Sequence, residues 1–189
     1  RPEPLLALGQ FKHEAAVVDP ASGIAYLTED YDPTAGFYRC LPAVPGELVR
    51  GGRLQMLSVP GRDDLRTGLR PGERMRVRWV EVEHPERGMH DGEPTGVQRQ
   101  GRANGGSWFT RLEGCIVGDD IVYFTATNGG EAGCGQVFAY LPSREELVLV
   151  YESPDPGVLD YPDNVVLSPR GGLLVCEDSD QPVQRLYGL

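Results

Sequence analysis

Five carboxylates stand at one recurring place in this 189-residue chain, and their types and spacing suit the binding of a hard cation. Glu14, Glu113 and Asp163 each stand second in the same six-residue pattern, an acid followed by a mainly apolar run. The three runs are His13-Glu14-Ala15-Ala16-Val17-Val18, Leu112-Glu113-Gly114-Cys115-Ile116-Val117 and Pro162-Asp163-Asn164-Val165-Val166-Leu167. A turn and a second apolar strand follow each, running Ile24 to Asp30, Ile121 to Thr127 and Leu173 to Asp178. An antiparallel hairpin sets the start of its first strand beside the end of its second. Glu14, Glu29, Glu113, Asp163 and Glu177 therefore fall at one end of their hairpins, with Asp30, Asn164 and Asp178 close behind. Like charges crowded at a low-dielectric wall repel strongly. They must take up protons or bind a cation. Oxygen-only donors in this number put Ca²⁺ first, since it accepts about 6–8 flexible oxygen ligands. Ferric and manganous ions also match the ligand hardness.

Acids at loop ends are common on protein surfaces, so no one of these positions argues by itself. Their recurrence beside apolar strands, where polar groups cost free energy, is what argues for a metal. Arg111 stands two residues before Glu113 and projects from the same face if the strand reaches back that far. A guanidinium there can grip a phosphate or carboxylate with its fork. An ion pair with Glu113 and nothing more fits the spacing equally well. His13 should point away from Glu14, into the core or behind the ligands, and His84 and His90 fall in an irregular, exposed segment. No Ser-His-Asp order, P-loop or dinucleotide fingerprint is present.

The elements that must carry these acids repeat too. From Glu113 to Asp163 is 50 residues, and from Glu14 to Glu113 is 99, close to twice that. Such a period points to a β-propeller with one blade per repeat. Gly36 to Leu41 and Gly52 to Val59 fit third and fourth strands of a blade, as do Gly135 to Leu141 and Glu146 to Tyr151. Val183 to Tyr187 begins another third strand. Gly and Pro, 25 and 16 residues, punctuate these short runs as an all-β chain requires. Residues 61–107 break the rhythm. Met75 to Val82 alternates as one strand should, and a helix is expected near Gly96 to Arg102. The segment reads as an elaborated blade or an insertion over the propeller face. The whole is expected to be one partial propeller domain over residues 1–189, roughly four blades. Propellers usually close with about 4–8 blades. The expectation is therefore a piece of a longer protein, or closure with another chain.

A formal net charge of −10 argues against nucleic-acid binding, which needs a basic stripe. No apolar run approaches the roughly 18 residues of a membrane span, and no signal-type segment is visible. Cys40, Cys115, Cys134 and Cys176 lack zinc-site spacing. Cys115 and Cys176 fall on strands and read as small apolar residues, with a disulfide left open.

Taken together, Gln10 to Ala15, Ile24 to Asp30, Arg111 to Cys115, Pro162-Asp163-Asn164, Ser168 to Gly172 and Cys176-Glu177-Asp178 resemble the PhoX-type alkaline phosphatases. The resemblance covers almost the whole chain and is weakest across residues 61–107. It implies a six-bladed propeller whose site holds calcium with ferric iron. It also implies hydrolysis of phosphate monoesters by a protein exported through the twin-arginine route to the periplasm or beyond. By motif, Glu14 and Glu113 match metal-bridging carboxylates, Arg111 a phosphate-binding residue, and Asp163 and Glu177 further ligands. Glu29, Asp30 and Asp32 compete for one more acid. The family's cysteine iron ligand and a lysine belong to a portion upstream of the one matched. Two other readings stand beside this one. One is a calcium-dependent lactonase or esterase, which would not need Arg111. The other is a non-catalytic propeller held together by Ca²⁺.

Overall fold

Short apolar runs closed by turn residues build three antiparallel sheets in the computed structural model, which describes residues 2–88 and 96–189. In chain order the strands are β1 (His13–Val18), β2 (Ala25–Glu29), β3 (Phe37–Pro42), β4 (Gly52–Ser58), β5 (Arg74–Arg76) and β6 (Arg78–Val82). Helix α1 (Gly96–Ala103) follows. Then come β7 (Leu112–Gly118), β8 (Ile121–Ala126), β9 (Gln136–Leu141), β10 (Glu146–Glu152), β11 (Pro162–Leu167), β12 (Leu173–Glu177) and β13 (Leu186–Gly188). The first sheet runs β1-β2-β3-β4-β6, the second β7-β8-β9-β10-β5, and the third β11-β12-β13. Each opens with the acid-led hairpin. The β7–β8 turn pairs Gly118 with Ile121 and places Asp119 and Asp120 at φ 51° and 60°. That is the two-residue turn whose twist matches the strands it joins.

The segment that breaks the repeat forms no sheet of its own among the described residues. Met75 to Val82, expected as one strand, is split at Val77. Its first part pairs with β10 on the second sheet, and its second part pairs with β4 on the first. Alternation of side chains is the same in both halves and says nothing about the partner, so the sequence showed one strand. The result is an outer strand for each of two sheets and a covalent tie between them.

Aromatic side chains fill the space between the first two sheets. Tyr26, Phe37, Leu57, Phe109, Phe124, Phe138 and Tyr140 are buried there, and Phe37 stacks on Phe124 at 4.1 Å. Each such ring contributes roughly 1.5–3 kcal/mol by leaving water. Val137, Val165, Leu173 and Val175 join the second sheet to the third. On its other face the first sheet packs Leu27, Tyr38, Leu54 and Met56 against Phe11 and Val97 of α1. The cores thus stack the sheets face to face and bring their first strands together, β7 packing against both β1 and β11.

The close approach of β7 to β11 depends on Gly114. A Cβ there would lie 2.7 Å from the Asp163 carbonyl oxygen and 2.8 Å from both Asn164 Cα and Val165 N. In all three hairpins the pairing slips at the same point: between His13 and Ala16, Leu112 and Cys115, and Pro162 and Val165. Glu14, Glu113 and Asp163 all sit inside these irregularities. A bulge bends the strand and re-aims the side chain it carries, so one local device is repeated at the acid on the first strand of each hairpin.

Candidate metal centre

Carboxylate oxygens of Glu14, Asp30 and Glu113 lie within 4.8 Å of one another. Glu14 comes from β1, Asp30 from the residue after β2, and Glu113 from β7, so two sheets share the cluster. The cluster has an exposed edge at Glu14 and a buried one at Glu113, which is 5% exposed. Burial first, then the charges of Asp30, Glu14 and Asp163, push the Glu113 carboxyl up to about 8, against the pull of Arg111. Glu113 also meets the Asp163 side chain through a hydrogen bond. Asp163 is itself raised, by burial and then by Asp178.

Arg111 crosses this cluster. Its Nε donates to Asp30 Oδ1 at 3.1 Å and its Nη2 to Glu113 Oε1 at 2.8 Å. The side chain is 33% exposed, and Nη1 has no partner among the described residues. The backbone at Arg111 is left-handed, φ 40°. A residue without glycine's freedom holds that conformation only under constraint from its surroundings. Here the Arg111 N–H donates to the Tyr31 carbonyl at 3.1 Å and its own carbonyl accepts from Thr127 N at 2.9 Å. On its far side Asp30 takes the exposed Lys12 ammonium at 3.3 Å.

Glu29 and Glu177, read from the sequence as rim acids, are used elsewhere. Glu29 is 1% exposed, and its Oε2 accepts from Gly36 N at 2.8 Å, the Tyr38 hydroxyl at 2.9 Å and Gln98 Nε2 at 3.3 Å. Burial pushes it up to about 7 in spite of these donors. Glu177, 3% exposed, accepts from Asp160 N at 2.9 Å and from Arg185 Nη2 and Nε at 2.7 and 3.0 Å. The Arg185 guanidinium holds it below the ordinary carboxylate range. Register explains both. Glu29 pairs with His13 and Glu177 with Pro162, not with the neighbouring acids. Directly paired residues share a face, and the next residue along takes the other. Asn164 turns its Oδ1 back to Val165 N at 2.8 Å. Asp32 stands apart with Thr110 and Asn128, each 3.4 Å away.

The histidines do not join the cluster. His13 Nε2 bonds the Gly9 carbonyl at 2.9 Å and its ring stacks on Phe11. His84 pairs with Glu86 at 3.3 Å, and His90 lies outside the described residues. All four cysteines are free thiols. Cys115 packs toward the aromatic core, with its thiol raised by burial.

A hard cation fits this donor set. Three carboxylates with a fourth beside them stand against two cationic side chains, Arg111 and the exposed Lys12, so negative charge is in excess there. That is the setting in which oxygen ligands take calcium or a similarly hard ion.

The profile of one protein family, "Alkaline phosphatase PhoX", matches residues 1–189. The chain belongs to the PhoX family. Among solved structures it is similar to Pseudomonas fluorescens PhoX in complex with vanadate, a transition state analogue, at 17% identity and a TM-score of 0.71. That likeness covers 97% of this chain and 43% of the other, so the chain spans less than half of that protein. It places the PhoX member's three sheets in a propeller fold. A structure described as a putative gluconolactonase aligns at 14% identity over 97% of this chain and 65% of the other, with a TM-score of only 0.33. A search of curated proteins gave no match. Among the described residues no helix is long and apolar enough to cross a membrane.

Proposed function

We propose that this protein hydrolyses phosphate monoesters at the carboxylate cluster, with Glu14, Asp30, Glu113 and Asp163 holding a hard cation. Calcium suits these oxygen donors first, and the resemblance to PhoX phosphatases adds ferric iron. The observation that carries the reading is the meeting of Glu14, Asp30 and Glu113 within 4.8 Å across two sheets, under the guanidinium of Arg111.

When bound, the cation supplies charge for the phosphate oxygens and lowers the pKa of a bound water. Glu14, Asp30 and Glu113 fix where that charge sits, because each is anchored at a strand end or bulge. Arg111 binds the non-bridging oxygens of the ester and stabilises the charge that spreads over them in the transition state. Its left-handed backbone and two carboxylate bonds aim the guanidinium before substrate arrives, so little ordering remains to be done on binding. A neutral lactone does not require the Arg111 guanidinium, so Arg111 favours the phosphatase reading. Further blades complete the propeller and its site, and export to the periplasm or beyond belongs to the same reading.

The test is turnover of a chromogenic phosphate monoester by the purified protein with Ca²⁺ present, beside a lactone as control. Phosphate release, absent in Glu113→Gln and lost on chelation, is the expected result. Full activity after EDTA treatment and dialysis would contradict it.

A further inference from the structure

The second strands of the first two acid-led hairpins each carry a buried hydroxyl that reaches into the next sheet, and in the third hairpin Cys176 holds the equivalent position. Thr28 on β2 is fully buried, and its Oγ1 donates to the backbone carbonyl of Glu113 on β7 at 2.6 Å. The same oxygen accepts from Ala15 N at 2.9 Å, the residue after Glu14. Thr125 on β8, also fully buried, occupies the equivalent register position and donates to the carbonyl of Asp163 on β11 at 2.5 Å. Each threonine stands one residue beyond the β2 or β8 partner of the residue two after the acid: Leu27 opposite Ala16, Phe124 opposite Cys115. The two bonds therefore repeat one geometry from sheet to sheet, and both end on the backbone of an acid-bearing bulge.

A bulged residue leaves the ladder and loses the regular bonds that would fix it. Thr28 replaces them at two bulges together, on Ala15 in β1 and on Glu113 in β7. We infer that Thr28 and Thr125 are positioning residues for the metal centre, setting the spacing of Glu14, Glu113 and Asp163 from the sheet behind. This rests on reading the carboxylate cluster as a cation site. Neither hydroxyl touches a cation or substrate; each acts through the carbonyl it holds. Val at either position keeps the shape and removes the donor, whereas Ser keeps the donor.

The experiment is calorimetric titration of the protein with Ca²⁺ alone, well below the melting temperature, for the wild type, Thr28→Val, Thr28→Ser and Thr125→Val. Groups that orient metal ligands typically change affinity by about 10–100-fold when removed. Thr28→Val is expected to weaken Ca²⁺ binding by about tenfold or more on that scale, Thr125→Val in the same direction, and Thr28→Ser to restore most of the loss. Melting temperatures of the metal-free variants separate loss of folding from loss of affinity. Should Thr28→Val fail to fold, Thr125→Val and Thr28→Ser decide the matter. Wild-type affinity in the folded valine variants, or equal weakening by serine and valine, overturns the inference. A wild type that takes up no Ca²⁺ overturns the metal reading itself, a distinct result.

Discussion

Arg111, the residue before β7 of the second sheet, reaches Asp30, the residue after β2 of the first, at 3.1 Å while holding Glu113 of β7 at 2.8 Å. One guanidinium thus spans the seam where two sheets bring their acids together. Its removal takes away a cation from beside three carboxylates and a donor from the substrate. Arg111→Ala is expected to lower kcat/KM for a phosphate monoester by about a hundredfold or more, the usual loss for a donor aimed at developing charge. Arg111→Lys keeps the charge without the fork and is expected to recover only part of it. Steady-state kinetics with saturating Ca²⁺ check both.

The metal-free protein is expected to lose stability as pH rises. Glu29 and Glu113 have folded-state values pushed up to about 7 and about 8, above the ordinary 4.5. Raised acids favour the folded state fully below pH 4.5, and that advantage disappears as pH climbs through 7 and 8. For fully buried Glu29 the loss is on the order of 3 kcal/mol, at about 1.4 kcal/mol per unit. Melting temperature against pH in EDTA should slope downward from pH 5 to 9, more gently in Glu29→Gln. A flat or rising profile would show that these acids are not strained.

Gly114→Ala should separate the second and third sheets. The added carbon meets backbone atoms of Asp163, Asn164 and Val165 at 2.7–2.8 Å, and no flexible side chain can yield. Overpacking of this kind costs about 1–3 kcal/mol. A denaturant midpoint equal to the wild type would show that the strands have room.

Glu177 offers the opposite control. Its carboxylate is held by Arg185 and by the Asp160 and Arg185 backbone N–H groups, away from the cluster. Glu177→Ala should lower the melting temperature while leaving Ca²⁺ affinity near the wild-type value. A large fall in Ca²⁺ affinity with folding intact would return Glu177 to the ligand set.

Much of this arrangement was legible in the sequence. The acid-led hairpins show because an acid before an apolar run recurs at a fixed period, and Glu14, Glu113 and the place of Arg111 follow from it. What the sequence did not show is register. Glu29 and Glu177 lie one residue from rim positions, and the bulges that decide which face each takes depend on contacts with the next sheet. Asp30, ranked behind Glu29, instead joins the trio because it follows the end of β2. The same gap hid the split at Val77, where alternation persists across a change of partner. Thr28 and Thr125 did leave a signal, a threonine at one repeat position, but without the neighbouring sheet nothing marked it as more than a strand residue.

That carboxylates from separate sheets jointly hold a cation is tested most directly by elemental analysis of protein purified without chelator, beside the Glu14→Gln/Glu113→Gln double variant. The wild type is expected to carry calcium at one equivalent or more, with any iron accompanying it, and the folded double variant to have lost most of it. Metal at background level in the wild type, with no heat on titrating Ca²⁺ into it, would contradict the shared site.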